Sequence, residues 1–509
     1  MAQYQTLAVL AVTQASFKLP YCVAEQYDAV VVGSGPNGLT AAVVLALHGL
    51  RTHVIEGHSE AGGGTRTREL TLPGFQHDVC SAVHTMGCLS PAFTSLQLES
   101  HGLEWIYPDA SAAHPLDDQP AALLLPTVEA TAQRLGVDAQ AYTRFVSPFL
   151  EHPEALISGA LAPLGVPKHP WLMARFALRG LPSVERTANR WFKNETTKAL
   201  LAGCAAHSVL PLDRLLTTAV GLMFLVAGHM RPWPVAKGGS RNVTRALETL
   251  LLQNGGSMEL ERPITRWSQL PSARCYLFDT APKQLSSIAG DALPARYRQK
   301  LDAYRMGPGV FKLDWALDGP IPWSDPECLK ASTVHVGGTV AEIAQAEQEV
   351  WQGKHPKRPF VMLTQQSQFD PNRAPTGQHT GYAYCHVPHD SDVDVTEAIE
   401  AQVERFAPGF HDRILARHKF SPADFERYNA AFIGGAITGG VADLRQLFFR
   451  PVARIDPYST PNPQLFICSQ STPPGGGIHG MCGWFAARSA LRRCFGIQLS
   501  SSVVPRPRH

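Results

Sequence analysis

Residues 27–56 constrain the fold more than any other stretch of the chain. An apolar run from Tyr27 to Val32 enters Gly33-Ser34-Gly35-Pro36-Asn37-Gly38; a nearly all-apolar segment, Asn37 to Leu50, and a short run from Arg51 to Glu56 follow. Val30-Val31-Val32 reads as the core of a buried parallel strand, because strands covered on both faces lose the alternation of half-exposed ones. The segment after the glycines reads as a helix packed on that sheet, with Gly49 marking its end. Strand, glycine turn, helix and strand within about 30 residues make a βαβ unit and an α/β fold.

The glycine spacing adds chemistry to that topology. Gly33 permits a tight turn, Gly35 removes a Cβ from the path of a pyrophosphate, and Gly38 lets helix and strand close on each other. Ser34, Pro36 and Asn37 complete the loop, and the helix start offers free N–H groups and a positive dipole end to phosphates. Glu56 closes the second strand 23 residues after Gly33, where an acid can accept hydrogen bonds from ribose hydroxyls. Gly62-Gly63-Gly64-Thr65-Arg66-Thr67 then extends the phosphate-binding surface, and Arg66 is a candidate partner for a pyrophosphate oxygen. A third glycine-rich turn, Pro473-Pro474-Gly475-Gly476-Gly477-Ile478-His479-Gly480, lies between a strand expected at Gln464 to Cys468 and a helix expected at Ile478 to Phe495.

Other features exclude function classes. At 509 residues the chain has room for roughly two to four domain-sized units. Lys plus Arg number 45 against 43 Asp plus Glu, so the net charge of +2 gives no reason to expect a nucleic-acid partner. The ten cysteines are scattered with no C-x-x-C pair, which reads as a reduced compartment: the cytoplasm, or the mitochondrial matrix in a eukaryote. Cys80 and Cys88 lie nearest to the first nucleotide unit, and their spacing is not that of a redox pair. No second strand-linked G-x-G-x-x-G offers a site for a nicotinamide cofactor. Leu215 to Gly228, the longest apolar run after the leader, is 14 residues, which fits a buried helix rather than a membrane span. Residues 1–26 read as a loose leader: Leu7 to Val12 is apolar but lacks a basic flank and a good cleavage signal.

These motifs together resemble the phytoene-desaturase-like flavoproteins, most closely the pyridine nucleotide-disulfide oxidoreductase domain-containing branch. The resemblance is carried by the first glycine loop with Glu56, by GGGTRT, by Pro73-Gly74-Phe75 with Asp78, and by the run from Leu465 to Ala487. Pro234 to Ser240, Asp279 to Pro282, Gly434-Gly435 and Arg450-Pro451 agree with it, so it extends from Tyr27 to Phe495. It implies non-covalent FAD, with Gly33, Gly35, Gly38, Glu56, Gly63 and Arg66 around the adenine dinucleotide. Ser34, Pro36, Asn37 and Gly62 lie in the same loops. Gly476, Gly477, Ile478 and Gly480 would lie near the isoalloxazine, where a helix N-terminus stabilises negative charge on the reduced ring.

The expected fold is α/β, a Rossmann-type FAD-binding domain interleaved with a mixed α+β substrate domain and a helical insertion. The FAD-binding parts are 27–101, 234–283 and 459–496; the helical insertion is 102–233, the substrate domain 284–458 and the tail 497–509. The expected activity is dehydrogenation or desaturation of a hydrophobic organic substrate, with electrons passing to oxygen, a quinone or another acceptor. Amine-oxidase-like, saturase or isomerase chemistry on the same scaffold, and a low-turnover flavoprotein with an interaction role, are the alternatives. His84 and His479 are candidate proton acceptors because histidine titrates near neutral pH. Asp78 reads as an organiser of the cofactor loop. Cys385-His386-Val387-Pro388-His389-Asp390 resembles a compact metal site, but no second ligand pair answers it, so no metal is expected. Lys168 to Lys198 holds seven Lys or Arg residues against Glu185 and Glu195, with aromatic residues between them. It reads as a helical lid with a solvated basic face, or as a peripheral membrane contact.

Overall fold

The computed structural model describes residues 26–499, so most of the expected leader and the end of the tail lie outside the described residues. The first part of the chain supplies β1 (Tyr27–Val32), β2 (Thr52–Ile55) and a small antiparallel pair, β3 (Thr67–Glu69) with β4 (Gln76–Asp78). Next come β5 (Trp105–Ile106), β6 (Ala110–Leu116) and β7 (Gln119–Leu124). After a helical stretch the chain forms β8 (Val235–Ala236), β9 (Ser257–Glu259) and β10 (Ala273–Phe278). It continues through β11 (Gly309–Leu317), β12 (Ala331–Val336), β13 (Val361–Thr364), β14 (His379–Val387) and β15 (Ile414–Phe420), and ends with β16 (Leu465–Ile467).

Five of these strands form a parallel sheet in the order β16-β10-β1-β2-β9. Alternation along β1 divides its surroundings. Ala29 and Val31 pack with the helices Pro36–Leu47, Arg241–Gln253 and Met481–Phe495, whereas Val30 and Val32 pack with Pro282–Ala289 and Ala295–Asp302. Both faces are covered, which is why β1 carries no polar alternation.

The larger sheet has seven strands in the order β15-β11-β14-β13-β12-β6-β7, antiparallel except between β12 and β6. The helices Glu195–Ala206, Thr217–Met230 and Val340–Trp351 cover one face, and Thr396–Phe406 packs on the other. The hairpin of β6 and β7 falls where helical structure was expected. Its segment, ASAAHPL then QPAALL, is rich in Ala with two prolines and has no β-branched residue, so its strand character comes from pairing with β12 rather than from local preference. The apolar run near residue 220 is the helix Thr217–Met230, with Leu222, Leu225 and Val226 fully buried. No helix among the described residues is long and apolar enough to cross a membrane.

Candidate functional site

In the parallel sheet, β1 has β2 on one side and β10 on the other, so the strand order reverses beside β1. Such a switch point opens a crevice at the carboxyl ends of the strands, where ligands of open α/β sheets bind. Gly33 to Asn37 line a cavity there, together with Glu56 and Asp279. The register pairs Val32 with Phe278, which sets Asp279 directly beside Gly33. Gly33 has φ +98°, a left-handed conformation that favours glycine. A Cβ on Gly35 would lie 2.6 Å from Asp279 Oδ2, and one on Gly38 would lie 2.1 Å from the Gly33 carbonyl. The loop therefore has no space for a side chain at Gly35 or Gly38.

Gly38 N–H donates to Asp279 Oδ2 at 2.9 Å. Burial raises the Asp279 pKa from 3.8 to about 7; the Gly38 hydrogen bond opposes the shift and the neighbouring Glu56 charge adds to it. Glu56 orients the loop from the other side. Its Oε2 accepts from Ser34 N at 2.9 Å and from Ser34 Oγ at 2.5 Å, while Oε1 accepts from His58 N at 2.9 Å. Gly62 N donates to the Ser34 carbonyl at 3.1 Å, which seats the second glycine loop on the first. A Cβ on Gly63 would come within 3.0 Å of Gly35 Cα. Arg66 is buried and lines the cavity; its Nε donates to the Glu60 carbonyl at 2.9 Å and its guanidinium lies 5.1 Å from the Tyr428 ring.

Asp78 anchors this region from beneath. It accepts from Thr67 Oγ1 and Ser240 N, each at 2.8 Å, and pairs with Arg373 Nη2 at 3.1 Å. These contacts tie β3 and β4 to the start of the helix Arg241–Gln253.

The carboxy-terminal turn enters the same cavity through Gly476, Gly477, Ile478 and His479. It leads into the helix Met481–Phe495, which starts later than expected because Gly480, at φ +67°, still belongs to the turn. This helix crosses the helix Pro36–Leu47 so closely that a Cβ on Gly483 would lie 1.8 Å from the Asn37 carbonyl. Asn37 Oδ1 is buried at the cavity without a partner among the described residues.

The two candidate histidines differ. Burial lowers the pKa of each to about 4, so both are neutral at pH 7; for His479 the carbonyls of Gly476 and Gly475 partly offset it, and for His84 the Asp78 charge does. His479 Nδ1 accepts from Met481 N at 3.1 Å, which places the ring hydrogen on Nε2. Its lone pair is therefore committed to the turn. Neither ring nitrogen of His84 has a partner among the described residues, so His84 retains a free lone pair at the cavity.

Burial pushes the thiols of Cys80 and Cys88 up to about 12, so both stay protonated at neutral pH. Cys385 to Val387 is the end of β14, and no group of three or more His, Cys, Asp or Glu among the described residues could hold a metal ion. The basic stretch is not uniformly solvated. Arg179 turns inward, donating to the Phe145 carbonyl at 2.9 Å and stacking 4.4 Å from the Trp191 ring, and Lys198 pairs with Glu195 at 2.8 Å. Instead the helix Pro170–Gly180 exposes Trp171 (88%) and Leu178 (77%). The sequence did not single out Asp279 for a role of its own.

Residues 31–94 match the NAD(P)-binding Rossmann-like domain family. Fold, site and sequence relatives together mark the chain as an FAD-dependent oxidoreductase. It is similar to pyridine nucleotide-disulfide oxidoreductase domain-containing protein 2 of Rattus norvegicus, 26% identical over 92% of this chain and 94% of the relative. It is also similar to phytoene desaturase (lycopene-forming) of Pseudescherichia vulneris, 23% identical over 91% of this chain and 98% of that one. A solved putrescine oxidase variant shares the fold, with a TM-score of 0.59 at 17% identity, covering 91% of this chain and 98% of that one.

Proposed function

We propose that the chain holds FAD across the switch point and dehydrogenates or desaturates an organic substrate with a largely apolar body, reoxidation passing to oxygen, a quinone or another acceptor. One observation carries this reading. A single cavity of about 2480 Å³ runs from the first glycine loop past the carboxy-terminal turn to the seven-stranded sheet. Pockets for one small ligand span about 300–1,000 Å³, so this one has room for a cofactor and a second molecule. The similarity to a phytoene desaturase along nearly the whole chain supports the same class of chemistry.

When bound, FAD supplies a two-electron acceptor for a hydride. Gly33, Ser34, Gly35, Pro36, Asn37 and Gly38 would hold the pyrophosphate at the helix start, where no acidic side chain opposes it in the first turn. Glu56 would take ribose hydroxyls, with Gly62, Gly63 and Arg66 closing the side of the site. Gly476, Gly477 and Ile478 would face the ring system, whereas Gly480, expected there too, packs against Thr40 and Phe93. His84 is the candidate to accept the proton lost from the carbon beside the oxidised one, and His479 orders the turn. Purification followed by an absorbance spectrum and cofactor extraction tests the reading. A colourless protein that cannot be reconstituted with FAD overturns it.

We also propose that the cavity mouth rests on an anionic bilayer. Residues 155–184 contain no Asp or Glu. Within them Val166, Lys168, Leu178 and Leu181 are exposed and line the cavity, and Trp171 and Arg175 are exposed beside them. Apolar and cationic side chains together suit a lipid surface of negative charge. Flotation with phosphatidylserine vesicles should carry the protein upward, and Trp171→Glu with Arg175→Glu should abolish it. Unchanged flotation of that double variant would sink the idea.

A further inference from the structure

The inner end of the cavity is one face of the seven-stranded sheet. Side chains two apart on a strand share a face, which groups Tyr382, Tyr384 and His386 of β14. The register sets Thr364 opposite Tyr382, Met362 opposite Tyr384 and Thr333 opposite Thr364, and all six side chains line the cavity. Phe224, in the helix Thr217–Met230, and Trp233 line it from beyond the sheet.

Within this chamber sits a buried dyad. His386 is 2% exposed and Glu347, in the helix Val340–Trp351, is 1% exposed. His386 Nδ1 lies 2.9 Å from each carboxylate oxygen of Glu347. Because a carboxylate only accepts, Nδ1 carries a ring hydrogen, and in the neutral imidazole the lone pair is then on Nε2. That Nε2 is buried without a partner among the described residues. His207, which also lines the cavity, differs: its Nε2 meets His335 Nε2 at 3.0 Å. Trp233 Nε1 and Thr364 Oγ1 are likewise buried at cavity-lining residues without partners. Native interiors leave few polar atoms unpaired, and His386 Nε2 at the cavity wall calls for a ligand that pairs it.

We propose that the chamber binds the hydroxyl end of an amphipathic molecule, whose O–H donates to His386 Nε2. Glu347 is the positioning residue that fixes the His386 tautomer. The proposal deepens the proposed function, on which it rests, by giving the apolar substrate one polar terminus.

Equilibrium dialysis of the full-length protein as purified, with 1-decanol, decyl methyl ether and decane, tests it. The alcohol should bind about tenfold more tightly than either comparison compound, the ratio expected for one net hydrogen bond. His386→Phe should bring the alcohol down to the level of decane. Glu347→Ala should free the other tautomer and raise the ether to the level of the alcohol, a change that loss of packing alone would not produce. A wild-type protein with no preference for the alcohol, including one that binds none of the three, overturns the proposal, and needs no variant. The flavin spectrum of the same preparation separates the two readings: flavin with no preference sinks only the dyad, whereas a preference in a protein unable to take FAD sinks only the cofactor reading.

Discussion

Asp279→Asn should uncouple stability from pH. In the unfolded chain this carboxyl ionises near its ordinary value of 3.8, whereas in the folded protein burial moves it to about 7. Between those values the folded state keeps a proton that the unfolded state has released, so stability falls as pH rises and levels off above the folded pKa. A shift of about three units at 1.36 kcal/mol each sets a cost of about 4 kcal/mol, an upper bound because water reaching the cavity screens the charge. Asn retains an acceptor for Gly38 N–H and carries no charge. In urea unfolding of the flavin-free protein, the variant should match the wild type near pH 4 and exceed it at pH 8, by up to about 4 kcal/mol. FAD affinity gives a second readout: phosphates meet a charged Asp279 above its pKa, so wild-type affinity should weaken from pH 6 to 8 while the variant stays level. A stability difference independent of pH, or a wild type more stable at pH 8, would refute the reasoning.

Gly38→Ala sets a Cβ 2.1 Å from the Gly33 carbonyl, so the loop must open; the expected cost is about 1–3 kcal/mol, with a lower flavin-to-protein absorbance ratio. Arg373→Met leaves Asp78 and Asp370 buried without their guanidinium, and denaturant unfolding should show a loss of about 3–5 kcal/mol. Cys80→Ser with Cys88→Ser should leave substrate-driven flavin bleaching unchanged, because both thiols are held protonated by burial; lost bleaching with flavin retained would reinstate dithiol chemistry.

What was legible in the sequence was local. The glycine loop, the helix after it and Glu56 lie within one βαβ unit, where spacing alone determines which groups meet. Asp279 stands 241 positions from the Gly38 N–H it accepts, and only the landing of β10 beside β1 joins them. His386 and Glu347 are likewise paired by a strand and a helix that meet through packing, so C-H-V-P-H read as a strand end and not as half a dyad. The hairpin of β6 and β7 was hidden for the same reason, its alanines becoming strand by neighbour contact. At His479 the residue type was informative, but the direction of its lone pair depends on a backbone turn that no spacing rule describes.

The close crossing at Gly483 has a consequence for synthesis. Chains emerge amino terminus first and fold in that order, so the glycine loop and its helix leave the ribosome long before the segment that packs across them. β16, the last strand among the described residues, and the helix Met481–Phe495 complete the sheet and the cavity wall only after everything between them and the glycine loop has been made. A chain that stops short carries the whole nucleotide motif and yet has no wall for the ring system. Cofactor capture thereby becomes a test of whether residues 465–495 have joined residues 27–56.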